Sequence, residues 1–379
     1  MKLQGAWIED PAAQAVCAAL MAGGHQALFV GGCVRNALLD MPIGDIDIAT
    51  DATPEQAMAL AAHAGIKVIP TGIEHGTVTF IIRKRPHEVT TFRRDVQTDG
   101  RHAKVAFSSR IEDDAARRDF TMNALYARPD GTLVDPLGGL PDLRARHLRF
   151  VGDPAARIRE DYLRILRFFR FHAWYGDPAN GIDAEGLAAC AAGIDGLAAL
   201  SRERVGAEMR KLLAAPDPAP SVASMAQSGV LPALLPGSDP RALAPLIHLE
   251  QDIPPRWLRR LAVLGGADLT EALRLSRAEA RDLARLREAI GSPHTPAVLG
   301  QKLGADLAAD ALLARAAILE QPLPHNWQSE VARGAQSGFP ITAADLPGFA
   351  GPLLGQELKR LERAWLASDL RLTKADLLR

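Results

Sequence analysis

Cysteine is scarce in this chain, which has Cys17, Cys33 and Cys190 among its 379 residues. An odd and scattered trio provides neither a disulfide framework nor the paired spacing of a zinc site. The cysteine content therefore favours a reducing compartment, and we expect a cytoplasmic protein.

Long apolar runs are also missing. A transmembrane helix needs about eighteen or more consecutive apolar residues, and the sequence contains no such run. The first residues, MKLQGAWIEDPAAQ, carry charges early and hold no apolar stretch, which is unlike a secretory signal. We expect neither a membrane span nor a membrane partner.

A large net charge of either sign is absent as well. The 44 Lys and Arg residues and the 45 Asp and Glu residues leave a net charge of −1, which counts mildly against a nucleic-acid-binding protein. Between residues 83 and 170, however, 19 basic residues accompany 13 acidic ones, an excess of 6. A local basic surface can bind phosphates on a neutral chain. Taken alone, the excess is better explained as solvated surface charge.

The chain changes character near residue 150. Before that point, strand patterns such as ALFVGG, DIDIAT, GTVTFIIR and HEVTTFR alternate with helical segments. After it, Ala, Leu and Arg recur at helical spacing and strand patterns largely vanish. A chain of this length should form more than one domain. We predict an α+β fold, with a mixed-sheet head at 1–150 followed by all-α segments at 151–220 and 221–379.

Two aspartates are the first candidates for chemistry. Asp45 and Asp47 stand two positions apart on a predicted strand, so both carboxylates face the same side. Like charges this close repel each other unless a cation neutralises them. Mg²⁺ commonly bridges one or two carboxylates to substrate phosphates, and two such ions can assist an in-line displacement. By itself, the pattern fits an exposed acidic strand edge better.

Two glycines precede these aspartates. Gly31 and Gly32 end a predicted strand, and glycines at such a place let the backbone approach a triphosphate closely. Arg35 follows and could donate a bidentate hydrogen bond to phosphate. The alternative is an ordinary strand-to-helix turn. Glycines, arginine and paired aspartates within about twenty residues are together more specific than any one of them.

Four motifs in order resemble a single family. They are GGCVRNALL and GDIDIAT between 31 and 50, RRDFTMNAL at 117–125, VDPLGG at 134–139 and REDYLRILRF at 159–168. Over residues 26–175 the chain resembles the class II tRNA nucleotidyltransferases and bacterial poly(A) polymerases. The motifs are unrelated to one another but share order and spacing with the family, so the resemblance is highly specific.

The resemblance implies a template-independent enzyme that adds C, C and then A, from CTP and ATP, to the 3′ end of tRNA. Asp45 and Asp47 would hold two Mg²⁺ ions while the RNA 3′-hydroxyl attacks the α-phosphate. Glu88 matches an acidic strand position of the family and would position the hydroxyl or hold a metal. A plain edge-strand charge explains Glu88 equally well. The helical remainder would bind the body of the tRNA.

The resemblance also implies how the nucleotide is chosen. Asp161 and Arg164 would pair with the edge of the CTP or ATP base, and Glu160 would orient them. A carboxylate accepts from a base amino group and a guanidinium donates to base acceptors, so side chains can substitute for a template. Three further arginines match family positions that contact the nucleotide: Arg118, Arg167 and Arg170.

The segment that contains the last motif predicts an uninterrupted amphipathic helix. On a helical wheel, one arc is apolar, and its residues are Ile158, Tyr162, Ile165, Leu166 and Phe169. Glu160, Asp161, Arg164 and Arg167 fall on the opposite side. The aromatic residues near its end could stack on RNA bases, but helical spacing favours a place in the core. These residues are Phe168, Phe169, Phe171, Trp174 and Tyr175.

Two positions depart from the family pattern. Asn36 stands where the family motif GGxVRD has Asp, and Asn can keep some of its hydrogen bonds. The segment 95–107 resembles the family loop associated with the switch from C to A addition, and His102 replaces its commoner Arg. Both departures leave the predicted activity in place.

Three alternatives remain open. The first is a poly(A) polymerase, which is disfavoured because the chain ends at RLTKADLLR without the long basic tail usual in those relatives. The second is an enzyme that adds only CC or only A, and the segment 95–107 argues against a CC-only enzyme. The third is a non-catalytic RNA-binding relative, which the intact Asp45 and Asp47 argue against.

Overall fold

The computed structural model describes the backbone of residues 1–99 and 102–379, and the side chains outside 95–105. Internal contacts divide the chain into two compact units. The first unit comprises Met1–Arg204 with Gln227–Ala233, and the second comprises Val205–Ala226 with Leu234–Arg379. The predicted borders near 150 and 220 stay a prediction.

The first unit is built around a seven-stranded mixed sheet with the strand order β3-β4-β5-β2-β1-β8-β9. Its strands are β1 (Ala27–Val30), β2 (Asp47–Thr50), β3 (Lys67–Gly72), β4 (Thr77–Ile82), β5 (Arg85–Thr91), β8 (Tyr126–Ala127) and β9 (Leu133–Val134). Strands β6 (Arg93–Asp99) and β7 (His102–Phe107) form a separate antiparallel pair. The four clearest strand patterns of the sequence are confirmed as β1, β2, β4 and β5, and so is the α+β class.

The helices of the first unit are α1 (Pro11–Ala22), α2 (Gly32–Leu38), α3 (Pro54–His63), α4 (Ile111–Ala116), α5 (Leu140–Arg144), α6 (Pro154–Glu160), α7 (Leu163–Tyr175) and α8 (Ala184–Ala192). They fall into two groups along the chain: α1 to α4 alternate with strands, and α5 to α8 follow the last strand. Local sequence explains where several of them begin. Asp10 caps α1 by accepting from two backbone amides, and Thr53 caps α3 in a capping box with Gln56.

The rest of the described chain is helical, as the spacing of Ala, Leu and Arg predicts. Its helices are α9 (Arg202–Leu213), α10 (Ala219–Gln227), α11 (Val230–Leu234), α12 (Leu243–Glu250), α13 (Trp257–Leu264), α14 (Leu269–Ala272), α15 (Arg277–Gly291), α16 (Pro296–Leu303), α17 (Ala305–Leu319), α18 (Trp327–Gln336), α19 (Gly351–Ala367) and α20 (Lys374–Leu377). Among the helices of the described residues, none is long and apolar enough to cross a membrane.

The register of the central strands decides which side chains lie side by side at the beginning of β2. Strand β1 pairs antiparallel with β2, so that Val30 lies opposite Asp47. Strand β2 pairs in parallel with β5, beginning with Ile48 opposite Val89. The residues directly before that pair, Asp47 and Glu88, therefore stand side by side where β2 begins.

The prediction of one uninterrupted helix through residues 158–170 is wrong. Helix α6 ends at Glu160, and Asp161 adopts an extended conformation with φ −154° and ψ 106°. Helix α7 begins at Leu163, whose amide donates to Oδ1 of Asp161 at 3.1 Å. An aspartate that accepts from a nearby backbone amide offers the chain an alternative to the helical hydrogen bond, and here that alternative prevails.

Three of the five aromatic residues predicted for the core, Phe168, Phe169 and Phe171, are buried in the first unit. The prediction is wrong for Trp174 and Tyr175, which are half-buried at the end of α7. The Phe150 and Phe168 rings stack with their centroids 5.3 Å apart, and Phe120 lies 5.0 Å from Phe171. These rings join α7 to Phe120, which follows α4, and to Phe150, which follows α5.

The core of the second unit contains a buried ion-pair cluster. Arg259 and Arg260 are each 1% exposed, and both donate to Glu250, Arg259 at 2.6 Å and Arg260 at 2.6 Å. Arg259 also donates to Asp310 at 2.9 Å. Buried charges are costly unless they are paired and hydrogen-bonded, and this cluster pairs each guanidinium with at least one carboxylate.

Candidate active site

The glycine turn begins where β1 ends. Gly31 has φ 72°, a left-handed conformation that costs glycine little and other residues more. A Cβ at this position would lie 3.4 Å from Nη1 of Arg118. The absence of a side chain thus leaves the backbone of the turn directly beside a guanidinium, an arrangement suited to an anion.

The three predicted carboxylates line one cleft. Asp45, Asp47 and Glu88 face a cavity of about 600 Å³, with Asp47 half-buried and the other two exposed. Burial raises the pKa of Asp47, and the neighbouring charges of Glu88 and Asp45 raise it further, whereas Arg118 opposes them. Such repulsion is relieved when a cation binds between carboxylates.

The cleft offers only a small set of possible metal ligands. Within the described residues, no three His, Cys, Asp or Glu side chains gather closely enough to enclose a metal by themselves. Mg²⁺ does not require an all-protein cage, because it keeps several waters and binds through one or two carboxylates together with substrate phosphates. The pair of carboxylates at Asp45 and Asp47 fits this mode of Mg²⁺ coordination.

Arg118 is fixed by two partners that sequence reasoning missed. Its Nη2 donates to Asp114 at 3.0 Å and its Nε donates to the Tyr126 hydroxyl at 3.1 Å. The same hydroxyl donates to Asp114 at 2.7 Å. Burial alone would raise the pKa of Asp114, but Arg118 and Arg117 outweigh it and lower that pKa to about 2. The only signal in the sequence was an acidic residue three and four positions before two arginines.

Arg35 was predicted to contact phosphate, but in the structure its guanidinium is bound by other side chains of the protein. Its side chain is 6% exposed, and its guanidinium donates to Asn123 at 2.6 Å, to Asn36 at 2.8 Å and to the Tyr175 hydroxyl at 2.8 Å. The guanidinium also lies 4.0 Å from the centre of the Tyr175 ring. In this conformation Arg35 braces the glycine turn against α7, and its predicted phosphate contact stays a prediction.

Asp119 holds an arginine of α7 in place. Its Oδ2 accepts from Nε of Arg167 at 2.7 Å, and its Oδ1 accepts from Asn123 at 2.9 Å. Burial would raise the pKa of Asp119, but Arg167 and Asn123 lower it to about 2. Arg170 lies over the Phe171 ring at 4.4 Å from its centre. The two arginines therefore present their charge on one face of α7.

The residues expected to read the base lie around the break between α6 and α7. Arg164 donates to Glu160 at 2.6 Å and to the backbone oxygens of Arg157 and Arg117, each at 3.1 Å. Glu160 thus holds Arg164, one of the two residues it was expected to orient, and it also pairs with Arg157. The Asp161 carboxylate is held by Arg204, which donates from Nη2 to Oδ2 at 2.6 Å.

Arg204 is a second residue that sequence reasoning missed. It lies on α9, 43 positions after Asp161, in a segment without a recognised motif. For the switch segment 95–107, the structure describes the backbone pairing of β6 with β7. Gly100 and Arg101 lie outside the described residues, as does the side chain of His102.

Two known families match this chain. The family described as "Poly A polymerase head domain" matches residues 27–149, which hold the sheet, the glycine turn and the carboxylates. The family described as "Probable RNA and SrmB- binding site of polymerase A" matches residues 181–241.

Comparison with individual proteins indicates the same family. The CCA-adding enzyme of Streptococcus gordonii is 34% identical over 387 residues, covering 96% of this chain and 95% of that protein. A crystal structure of the Bacillus stearothermophilus CCA-adding enzyme in complex with CTP is 32% identical, with a TM-score of 0.73, covering 94% of this chain and 93% of that one.

The human mitochondrial CCA tRNA nucleotidyltransferase 1 is 45% identical over 190 residues, which are 50% of this chain. The match spans less than half of that relative's length, 44%. Taken with the full-length relative from Streptococcus gordonii, the comparison is decisive for the family. The chain belongs to the family of CCA-adding tRNA nucleotidyltransferases and bacterial poly(A) polymerases.

Proposed function

We propose that this protein adds C, C and A, from CTP and ATP, to the 3′ end of tRNA without a nucleic-acid template. One observation carries the proposal: Asp45, Asp47 and Glu88 share a cleft beside a glycine turn that adjoins Arg118. The names of the relatives, CCA-adding enzyme and CCA tRNA nucleotidyltransferase, support the same reaction and the same RNA.

Asp45 and Asp47 would hold Mg²⁺, two ions in our proposal. The repulsion that raises the pKa of Asp47 supports a cation at this place. When bound, the metal would supply charge stabilisation to the attacking and leaving oxygens of an in-line displacement.

The chain's own groups would position the reactants. Gly31 and Gly32 let the triphosphate approach the backbone, and Arg118 would balance its charge from a guanidinium already fixed by Asp114 and Tyr126. Glu88 would accept a hydrogen bond from the RNA 3′-hydroxyl. The 3′ oxygen attacks the α-phosphorus, the bond to the β-phosphate oxygen breaks, and pyrophosphate leaves. Positioning and charge stabilisation supply most of the catalysis.

Asp161 and Arg164 would choose the base. Each is held at the break between α6 and α7 by partners of its own, so the acceptor and the donor are oriented before the nucleotide binds. Arg167 and Arg170 extend the same face of α7 and would contact the nucleotide, while Arg35 would brace the glycine turn behind it. The helical second unit would bind the body of the tRNA, and the cytoplasm would be the site of action.

The test is single-nucleotide gel analysis of purified protein with Mg²⁺ and tRNA that lacks its last three nucleotides. We expect two additions with CTP alone and a third only when ATP is also present. A long ladder with ATP alone would instead identify a poly(A) polymerase, and a stop after CC would identify a partial enzyme. No extension with any nucleotide would leave a non-catalytic RNA-binding protein.

A further inference from the structure

The break between α6 and α7 packs against a short 3₁₀ turn that follows α8, Ile194–Ala199. The Tyr162 ring lies over the middle of this turn, at Gly196. A Cβ built on Gly196 would lie 2.1 Å from both Cδ1 and Cε1 of that ring, whereas carbon atoms in favourable contact stand about 3.5–4.0 Å apart. The ring therefore occupies the space that a side chain at position 196 would fill, and the contact requires glycine.

A second glycine brings the same stretch of chain against both helices of the break. Gly193 stands directly before the 194–199 turn, and its Cβ would lie 2.8 Å from Cγ2 of Ile158 on α6 and 3.1 Å from Cδ1 of Ile165 on α7. Both isoleucines are buried. They share the apolar arc of the helical wheel with Tyr162, so the turn packs on the apolar side of the break.

The backbone at the break links Tyr162 to both residues expected to read the base. Asp161 precedes it directly in an extended conformation, and Tyr162 itself is helical with φ −60° and ψ −16°. The Arg164 amide donates to the Asp161 carbonyl oxygen at 2.9 Å, and the Ile165 amide donates to the Tyr162 carbonyl oxygen at 3.1 Å. A displacement of Tyr162 therefore moves Asp161 with it, together with the first turn of α7, which carries Arg164.

The displacement that a larger residue at position 196 would cause exceeds what a binding site tolerates. A single methyl group would push the Tyr162 ring away by more than about 1 Å before it reached ordinary contact. Groups that recognise a ligand must stand within about 0.5 Å of their productive geometry, and an error of about 1 Å can cost about a hundredfold in rate. The size of the residue at position 196 thus affects where Asp161 and Arg164 stand.

We propose that Gly196 is a positioning residue that determines nucleotide specificity. By packing against Tyr162 it fixes the backbone of the break, and so it holds the Asp161 carboxylate and the Arg164 guanidinium where they fit the base edges of C and A. Arg204 holds one oxygen of Asp161 by a hydrogen bond, and Gly196 holds the adjoining residue by shape. The inference rests on the proposed function, because it needs Asp161 and Arg164 to pair with the base.

The first test measures the ratio of kcat/KM for CTP to kcat/KM for UTP in the first addition to tRNA that lacks its last three nucleotides. UTP is the informative competitor, because it presents a carbonyl oxygen where CTP presents the amino group that a carboxylate accepts from. We expect Gly196→Ala to lower this ratio at least about tenfold, since a displacement of about 1 Å separates the reading groups from the base edge.

Gly186→Ala is the matched control. Its Cβ would lie 2.8 Å from the Phe168 ring of α7, and the nearest atoms around it belong to Phe168 and Asp183 rather than to the break. This variant should lose stability in thermal melting yet keep the wild-type ratio. The proposal is overturned if folded Gly196→Ala keeps the wild-type ratio, or if Gly186→Ala lowers the ratio as far. A wild-type protein that adds no nucleotide would instead reject the proposed function itself.

The second test changes the other partner of the contact, and it holds even if Gly196→Ala does not fold. Tyr162→Phe keeps the ring carbons that lie over Gly196 and should keep the wild-type ratio, whereas Tyr162→Leu removes the ring and should lower it. The double variant of Gly196→Ala and Tyr162→Leu pairs a larger residue with a smaller one, so it should select CTP more strictly than Gly196→Ala alone. Equal ratios in Tyr162→Phe and Tyr162→Leu, or a folded double variant no more selective than Gly196→Ala, would remove this contact from nucleotide selection.

Discussion

The Arg204 guanidinium donates from Nη2 to Oδ2 of Asp161 across 2.6 Å, joining residues 43 positions apart in the chain. Oδ1 of the same carboxylate accepts from the Leu163 amide at 3.1 Å. Both oxygens of Asp161 are therefore directed by fixed donors, yet each retains a lone pair for a base amino group. Arg204 thus acts on the proposed base reader as a positioning residue.

Arg204→Ala should weaken nucleotide selection. Without the guanidinium the Asp161 carboxylate can rotate, so kcat/KM for CTP and ATP should fall roughly tenfold, as for a lost charge-assisted hydrogen bond, and incorporation of UTP and GTP should rise in proportion. Arg204→Lys should recover part of the selectivity. Competition assays with pairs of nucleotides measure the ratio, and Arg202→Ala, on an exposed position of the same helix, should leave it unchanged. Equal selectivity in all three variants would contradict this role.

Asp45→Asn should abolish turnover while RNA binding survives. The substitution removes one carboxylate charge from the cleft without changing side-chain size, and a loss of at least about a hundredfold in kcat is expected for a metal-dependent displacement. Filter binding of nucleotide-free tRNA should be nearly unaffected. Asp40→Asn is the comparison, because Asp40 is exposed in the same loop region. Turnover at the normal rate in Asp45→Asn would reject the metal role.

Gly31→Ala should separate backbone strain from nucleotide binding. At φ 72° and ψ −120° an alanine costs about 1–3 kcal/mol of stability, and its Cβ would lie 3.4 Å from Nη1 of Arg118. Gly65→Ala has nearly the same φ, 69°, and its Cβ would meet no atom of the described residues within 4 Å. Urea denaturation should show similar losses for both variants, whereas the KM for CTP should rise in Gly31→Ala alone. An equal rise of the KM for CTP in both variants would show that backbone strain is the cause.

Asp114 should make stability depend on pH in the acid range. Its folded pKa of about 2 lies below its ordinary value of 3.8, so its contribution is present above about pH 4 and is lost as pH falls through the folded value. The shift corresponds to about 2 kcal/mol at neutral pH. Asp114→Asn should reduce the free energy of unfolding at pH 7 and flatten its decline between about pH 4 and 2. Glu112→Gln, exposed on the same helix, should keep the wild-type profile, and an identical decline in Asp114→Asn would contradict the assignment.

Much of the first unit was predictable because its signals are local. A short apolar run predicts β1, alternation predicts β2, and β-branched residues predict β4 and β5. The spacing of Asp45 and Asp47 predicts carboxylates on one face. The break at Asp161 was missed, although its cause is also local. A helical wheel shows only where apolar and polar residues fall, and it does not take account of an aspartate that accepts a hydrogen bond from a nearby backbone amide.

The sequence by itself determined the α+β head, the glycine turn, the paired aspartates and the family, since these depend on residue types at short, fixed spacings. Only the tertiary structure decided that Glu88 stands beside Asp47, that Arg35 is buried against Tyr175, 140 positions away, and that Arg204 holds Asp161. Such pairs form because strand register and helix packing bring distant segments together, and no local periodicity records which distant side chain a buried charge will meet.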